Sequence, residues 1–279
     1  MRYLYIIYIA SMMLFSSCDE GIGLIEATDQ KVVVAGYLFS GQAIDSIRIT
    51  KTISYSGEGN LEYIDGLNIT INDGHQDVVL ESIGEGYYRN LNYIVKPETV
   101  YSMKFDYDGK EISAQTYVQA PIDIHLSKET VALERIEFSG GFPGGGFPGG
   151  SQGEEVVDIT WTNSNNDYYY VIVKNIEEDP DYVNDLFEQF ANSDIRPDRF
   201  FRTEPDIMDF YSINSRRELQ IFGTYEIIVY RLNAEYAALY ETLGSSTLSI
   251  KEPPTNIKNG LGIFTGVTPH HLFLEVIEK

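Results

Sequence analysis

The sequence predicts a mainly β protein made of two β-sandwich domains of the immunoglobulin/fibronectin-like kind, the second with short helices and a Gly-rich loop. Three observations predict it. Tyr101, Met103, Phe105 and Tyr107 alternate with Ser102, Lys104, Asp106 and Asp108, the period of two that puts apolar side chains on one face of a half-buried strand. Runs of this kind recur at intervals of about ten residues from Lys31 onward, which is sandwich spacing. They are punctuated by Asp73-Gly74 and Asp108-Gly109, both two-residue hairpin signals. At 279 residues, 43% hydrophobic and 13% aromatic, the chain is long and apolar enough for two cores and is not a disordered or fibrous sequence.

The first domain is predicted over 31–120. Val32-Val33-Val34 leads into Gly36-Tyr37-Leu38-Phe39, and Ile47 and Ile49 alternate with Ser46, Arg48 and Thr50. Asn68-Ile69-Thr70-Ile71-Asn72 alternates again before Asp73-Gly74, and Lys110 to Val118 follows the second turn. Ala120-Pro121 closes the unit. The second domain, 121–279, begins with strands at Ile122–Leu126 and Val131–Phe138. Two tandem copies of Gly-Gly-Phe-Pro-Gly then occupy residues 140–149, and such glycine density does not fix a conformation by its own contacts, so 139–154 is predicted to be a mobile loop. Phe142 and Phe147 are its apolar residues, read either as contacts for a partner or as part of a tolerated insertion.

Strands follow at Val156–Thr162, with the only tryptophan, and at Tyr168–Ile176. Val183, Leu186, Phe187 and Phe190 share one helical face, predicting a helix over 182–191. After the strands of 218–232, Asn233 is placed to cap a helix with Tyr236, Leu239, Tyr240 and Leu243 at i, i+3, i+4 and i+7 and Gly244 past its end. A last strand is predicted over His271–Val276.

The N-terminus carries an address. Tyr3 to Phe15 is almost wholly apolar and ends in Ser16-Ser17-Cys18. A bilayer core of about 30 Å needs roughly 20 apolar residues in a helix, so this stretch is too short to span and reads as an export signal, residues 1–17. Small residues before a cysteine suit peptidase access, and Cys18 is the only cysteine, which leaves no disulfide partner. Lipidation of Cys18 is the favoured reading, with an incidental thiol after a differently cut signal as the alternative. Residues 18–30 then read as a tether. Buried acyl chains contribute about 0.8 kcal/mol per CH₂, enough to anchor the protein without a basic patch.

Forty-two acidic residues against 20 basic give a net charge of −22. Nucleic acid is excluded as a partner, because binding phosphates requires a basic surface. Five arginines, Arg196, Arg199, Arg202, Arg216 and Arg217, lie among aromatics between 193 and 217, but Asp194, Asp198, Glu204, Asp206 and Asp209 are there to neutralise them. No Gly-x-Ser-x-Gly elbow at a strand-to-helix turn, no His-Glu-x-x-His and no phosphate-binding Gly-rich loop before a helix is present. His270 and His271 are adjacent, and neighbours in a strand point to opposite faces, so they do not ligate one metal together. No catalytic residue, metal site or cofactor is assigned. Structural calcium on Glu177-Glu178-Asp179-Pro180-Asp181, or near Asp106 and Asp108, stands as a minor alternative without the spacing of a dedicated loop.

The cysteine at 18, Val34-Ala35-Gly36-Tyr37-Leu38, Gly84-Glu85-Gly86-Tyr87-Tyr88, the helix with Tyr236 and Tyr240, and the segment from Asn256-Ile257 to Asn259-Gly260-Leu261-Gly262-Ile263-Phe264 occur in an order that resembles the Bacteroidetes lipoproteins catalogued as domain of unknown function 4249. The resemblance covers nearly the whole chain after Cys18 and does not extend to the Gly-Phe-Pro loop. It implies a cell-envelope lipoprotein found beside TonB-dependent outer-membrane transporters, and it supplies no catalytic residues. The expected function is a non-catalytic binding or accessory subunit of such a transporter, lipid-anchored at the outer membrane. The alternative is a glycan- or peptide-active hydrolase using paired carboxylates.

Overall fold

Residues 30–52, 61–136, 155–185, 187, 199–243 and 254–279 are described in a computed structural model. Cys18, Phe142, Phe147, residues 18–29 and the 139–154 loop lie outside the described residues. By its internal contacts the chain divides into Met1–Gln30 with Ile53–Asn60, and Lys31–Thr52 with Leu61–Lys279, and the strands, helices and cores belong to the second unit.

The protein is mainly β, with several sheets and few helices. Its strands are β1 (Val32–Phe39), β2 (Ala43–Lys51), β3 (Thr70–Asn72), β4 (Asp77–Val79), β5 (Glu81–Gly84), β6 (Tyr87–Ile94), β7 (Thr99–Tyr107), β8 (Lys110–Val118), β9 (Ile124–Leu126), β10 (Thr130–Leu133), β11 (Val156–Trp161) and β12 (Tyr168–Asn175). They continue as β13 (Asp181–Tyr182), β14 (Phe200–Arg202), β15 (Asp206–Ile207), β16 (Phe210–Asn214), β17 (Ile221–Leu232) and β18 (Leu261–Glu278). Two helices, α1 (Ser215–Glu218) and α2 (Ala234–Leu243), flank β17.

One large sheet runs β14-β12-β17-β18-β1-β2-β6-β5, and two smaller sheets, β4-β3-β7-β8 and β16-β11-β9, complete two sandwiches with it. The first core joins Ile47 and Tyr88 of the large sheet to Tyr101, Met103 and Ile112 of the four-stranded one. The second joins Val171, Ile227 and Leu274 to Val157, Ile159 and Trp161. β18 belongs to both: Phe264 lies in the first core, Leu274 and Val276 in the second. It pairs in parallel with β1 from Leu261 to Val267 and antiparallel with β17 from Val267 to Val276.

Local chemistry accounts for the turns. Asp108 and Gly109 take φ of 50° and 72° between the paired Tyr107 and Lys110, so this hairpin closes in two left-handed residues as its sequence requires. Asp73-Gly74 does not. The last pair there is Asn72↔Asp77, giving a four-residue loop over 73–76. Its cause is Asp73, buried at 3% exposure, whose Oδ1 accepts the N–H groups of His75 (3.0 Å) and Gln76 (2.8 Å) and opens the turn. The helix expected from 182 is also corrected at its start. Asp181 and Tyr182 pair with Phe222 and Ile221 as β13, because Tyr182 is buried in the second core where the edge of β17 takes its backbone; of the rest of that segment, Leu186 and 188–191 lie outside the described residues.

Candidate functional site

The outer face of the large sheet gathers aromatic rings. In β12, Tyr169, Val171 and Val173 are buried in the second core, so Tyr168, Tyr170 and Ile172 point the other way. In β17 the same alternation sends Ile228 and Tyr230 outward. Register then decides which rings meet. Tyr170 lies directly opposite Tyr230, and the two stack with centroids 4.7 Å apart and planes 17° apart. β1 contributes from the far side of β18: its burial alternates so that Tyr37 and Phe39 face outward, and Phe39 meets Tyr230 edge-on at 6.4 Å.

Helix α2 brings the remaining rings. It starts directly after β17, and Tyr236 and Tyr240, four residues apart, share a face and touch at 5.7 Å. Tyr236 lies parallel to Tyr170 at 6.3 Å and edge-on to Tyr37 at 5.9 Å. The expected cap behaves differently from the prediction. Asn233 accepts the N–H of Tyr236 through its main-chain carbonyl, while its side chain turns away: Nδ2 donates to Thr116 Oγ1 (3.0 Å) and the Tyr117 carbonyl (2.8 Å), and Oδ1 accepts from Gln119 Nε2 (3.2 Å). Glu235 accepts hydrogen bonds from the hydroxyls of Thr116 and Thr265. The helix is thus fixed onto β8 and β18, and its tyrosines are held over the sheet.

Six rings, Tyr37, Phe39, Tyr170, Tyr230, Tyr236 and Tyr240, form one half-buried cluster. Burial pushes the phenols of Tyr37, Tyr170, Tyr230 and Tyr236 above the ordinary tyrosine range, with neighbouring phenols adding to the rise at Tyr37, Tyr170 and Tyr236. These four stay protonated through the physiological range, so they offer ring surfaces and neutral O–H donors. That is contact chemistry.

The other residues singled out by sequence are scattered. His271 faces outward with Nδ1 at 2.9 Å from Glu226 Oε1, and His270 turns to the opposite face, where burial and then His271 hold it below the ordinary histidine range despite Asp123. Arg217 pairs with buried Glu218 and lies over the Phe201 ring, Arg135 takes Asp181 in a two-bonded fork, and Arg196 lies outside the described residues. Glu177 accepts the N–H of Thr224 at 2.7 Å. Among the described residues, no three His, Cys, Asp or Glu side chains gather as a metal site, and no helix is long and apolar enough to cross a membrane. Sequence reading missed the ring cluster because tyrosine is a common strand residue. The signal present was the phase of Tyr170 and Tyr230 within their strands, and only the register joins them.

Among solved structures, the chain is similar to the crystal structure of domains A168-A170 from titin, 11% identical, covering 88% of this chain and 66% of that one, at a TM-score of 0.20. It is also similar to the titin fragment A168169, 10% identical, covering 90% and 98%, at 0.21. The chain spans about two thirds of the first. No curated protein matches it in sequence. Residues 21–271, a stretch that contains the six rings and nearly all of both cores, match the family described as Domain of unknown function (DUF4249), and the chain belongs to that family.

Proposed function

We propose that this protein is a non-catalytic binding subunit of the cell envelope, held at the outer membrane by acylation of Cys18 and acting as an accessory to a TonB-dependent transporter. The observation that carries the binding reading is the six-ring face. Large, stiff aromatic side chains give contact area at little entropic cost, and neutral phenols add directional hydrogen bonds, the composition that binding surfaces favour. The sequence Ser16-Ser17-Cys18 after an apolar stretch supports the anchor, and the net charge of −22 argues against a nucleic-acid partner.

The test is co-purification from the native host in mild detergent. A large β-barrel retained with the protein, and lost with Tyr170→Ala/Tyr230→Ala at unchanged folding, is the expected result. A lone monomer in several detergents, or an unacylated N-terminus by mass spectrometry, would overturn the accessory role or the anchor respectively.

A further inference from the structure

β18 has an open edge between two occupied ones. On one side it pairs with β17 without interruption from Val267 to Val276. On the other, β1 stops at Phe39↔Val267 and β10 starts at Thr130↔Glu275, so among the described residues no strand lies beside 268–274 there.

The phase of the ladder fixes which groups face that gap. Ser40 N–H donates to the carbonyl of Val267, and Glu275 N–H donates to the carbonyl of Glu129, both at 2.9 Å. Odd-numbered residues therefore present their main-chain groups to this edge, and in the gap these are Pro269, His271 and Phe273. No hydrogen bond from the N–H of His271 or Phe273 forms among the described residues. Pro269 is a second, independent sign: proline is tolerated within a sheet where its missing N–H faces an unpaired edge. The side chains of His271 and Phe273 are exposed, Phe273 at 56%.

A groove of about 660 Å³ runs alongside, between this edge and β9, the edge strand of the three-stranded sheet. Leu126, Leu272 and Phe273 give it apolar walls, and Glu129 and Glu275 line it with carboxylates. A row of directional main-chain donors and acceptors is complementary to another extended backbone, the recognition mode of strand addition. Charge selects among backbones. A second copy of this chain carries −22 and meets carboxylates with carboxylates, so self-pairing is opposed.

We infer that β18 recruits an extended segment of a partner polypeptide, apolar residues alternating with lysine or arginine, which pairs with His271 and Phe273 and fills the gap between β1 and β10. This inference is independent of the aromatic face and of the transporter reading.

The full-length protein in detergent is titrated with a blocked hexapeptide of alternating lysine and valine, and main-chain amide exchange is followed residue by residue. In the free protein the amides of His271 and Phe273 exchange fast while those of His270 and Leu272, bonded to β17, are protected. The peptide slows His271 and Phe273 by about tenfold or more, and salt weakens the effect. Glu129→Lys leaves the main chain in place and weakens binding by about tenfold. His271→Pro removes one edge donor while keeping the β17 pairing and abolishes binding. No slowing at saturating peptide, undiminished binding of a backbone N-methylated peptide, or slowing produced by concentrating the protein alone would each overturn the inference, the last by assigning the edge to a second copy.

Discussion

Arg231 donates from Nε to Asp167 Oδ2 at 2.9 Å while its Nη1 reaches the carbonyl of Ala120, also at 2.9 Å. Both charged side chains are largely buried, and Ala120 is where the chain passes from the first core to the second. Breaking a buried pair from one side leaves an uncompensated charge, which costs about 3–5 kcal/mol. Arg231→Met should lower the urea midpoint accordingly, and adding Asp167→Leu should recover much of the loss; equal midpoints for wild type and Arg231→Met would show the pair to be inert.

Asp73 predicts an acid-side instability. Burial raises its pKa, but hydrogen bonds from Tyr93, the Gln76 and His75 amides and Lys96 more than offset this and hold it well below the ordinary carboxylate range. A depressed folded value means the stabilisation is complete above the ordinary carboxylate pKa of about 3.9 and is lost as pH falls below it. Asp73→Asn should cost about 1–3 kcal/mol at pH 7 and flatten the decline in denaturation midpoint between about pH 4 and pH 2.

The tyrosine cluster predicts the opposite flank. Phenols raised in the folded state contribute stability that is complete below the ordinary value of about 10 and is lost as pH climbs beyond it. Tyrosinate absorbance during alkaline titration should show the phenols of Tyr170 and Tyr236 ionising after the ordinary ones. Tyr170→Phe should make the alkaline loss of stability shallower, with a change of about 1 kcal/mol or less at neutral pH.

Gly262 has φ of 96°, and a Cβ there would stand 2.0 Å from the carbonyl oxygen of Val34. Gly262→Ala should therefore push β1 off β18 and cost several kcal/mol, about 3 or more, read as a lost or lowered thermal transition. Gly109→Ala is the control: φ is 72°, yet nothing lies within 4 Å, so about 1 kcal/mol is expected.

Alternation made much of this architecture legible. Tyr101, Met103 and Phe105 are all buried, with Lys104 and Asp106 exposed between them, and α2 forms over Ala234–Leu243, where Tyr236, Leu239, Tyr240 and Leu243 fall at i, i+3, i+4 and i+7. What alternation does not carry is partnership. Nothing local to Val32–Phe39 says that its neighbour is Leu261–Val267, and the final strand, expected over 271–276, begins ten residues earlier because β1 pairs with it there. The ring cluster was illegible for the same reason, since it depends on the register Tyr170↔Tyr230. Asn233 was legible as a helix boundary but not as the clasp to β8, which is set by distant Thr116 and Tyr117.

β18 joins both cores, so neither half matures alone. β1 emerges at residue 32 and must remain without its parallel neighbour until Leu261 has been made, with residues 40–260 as the closing loop. Pairings so far apart in sequence are slow to form and leave apolar strands uncovered while they wait. During biogenesis Val32, Val34 and Leu38 therefore stay without their parallel neighbour until the C-terminal strand arrives.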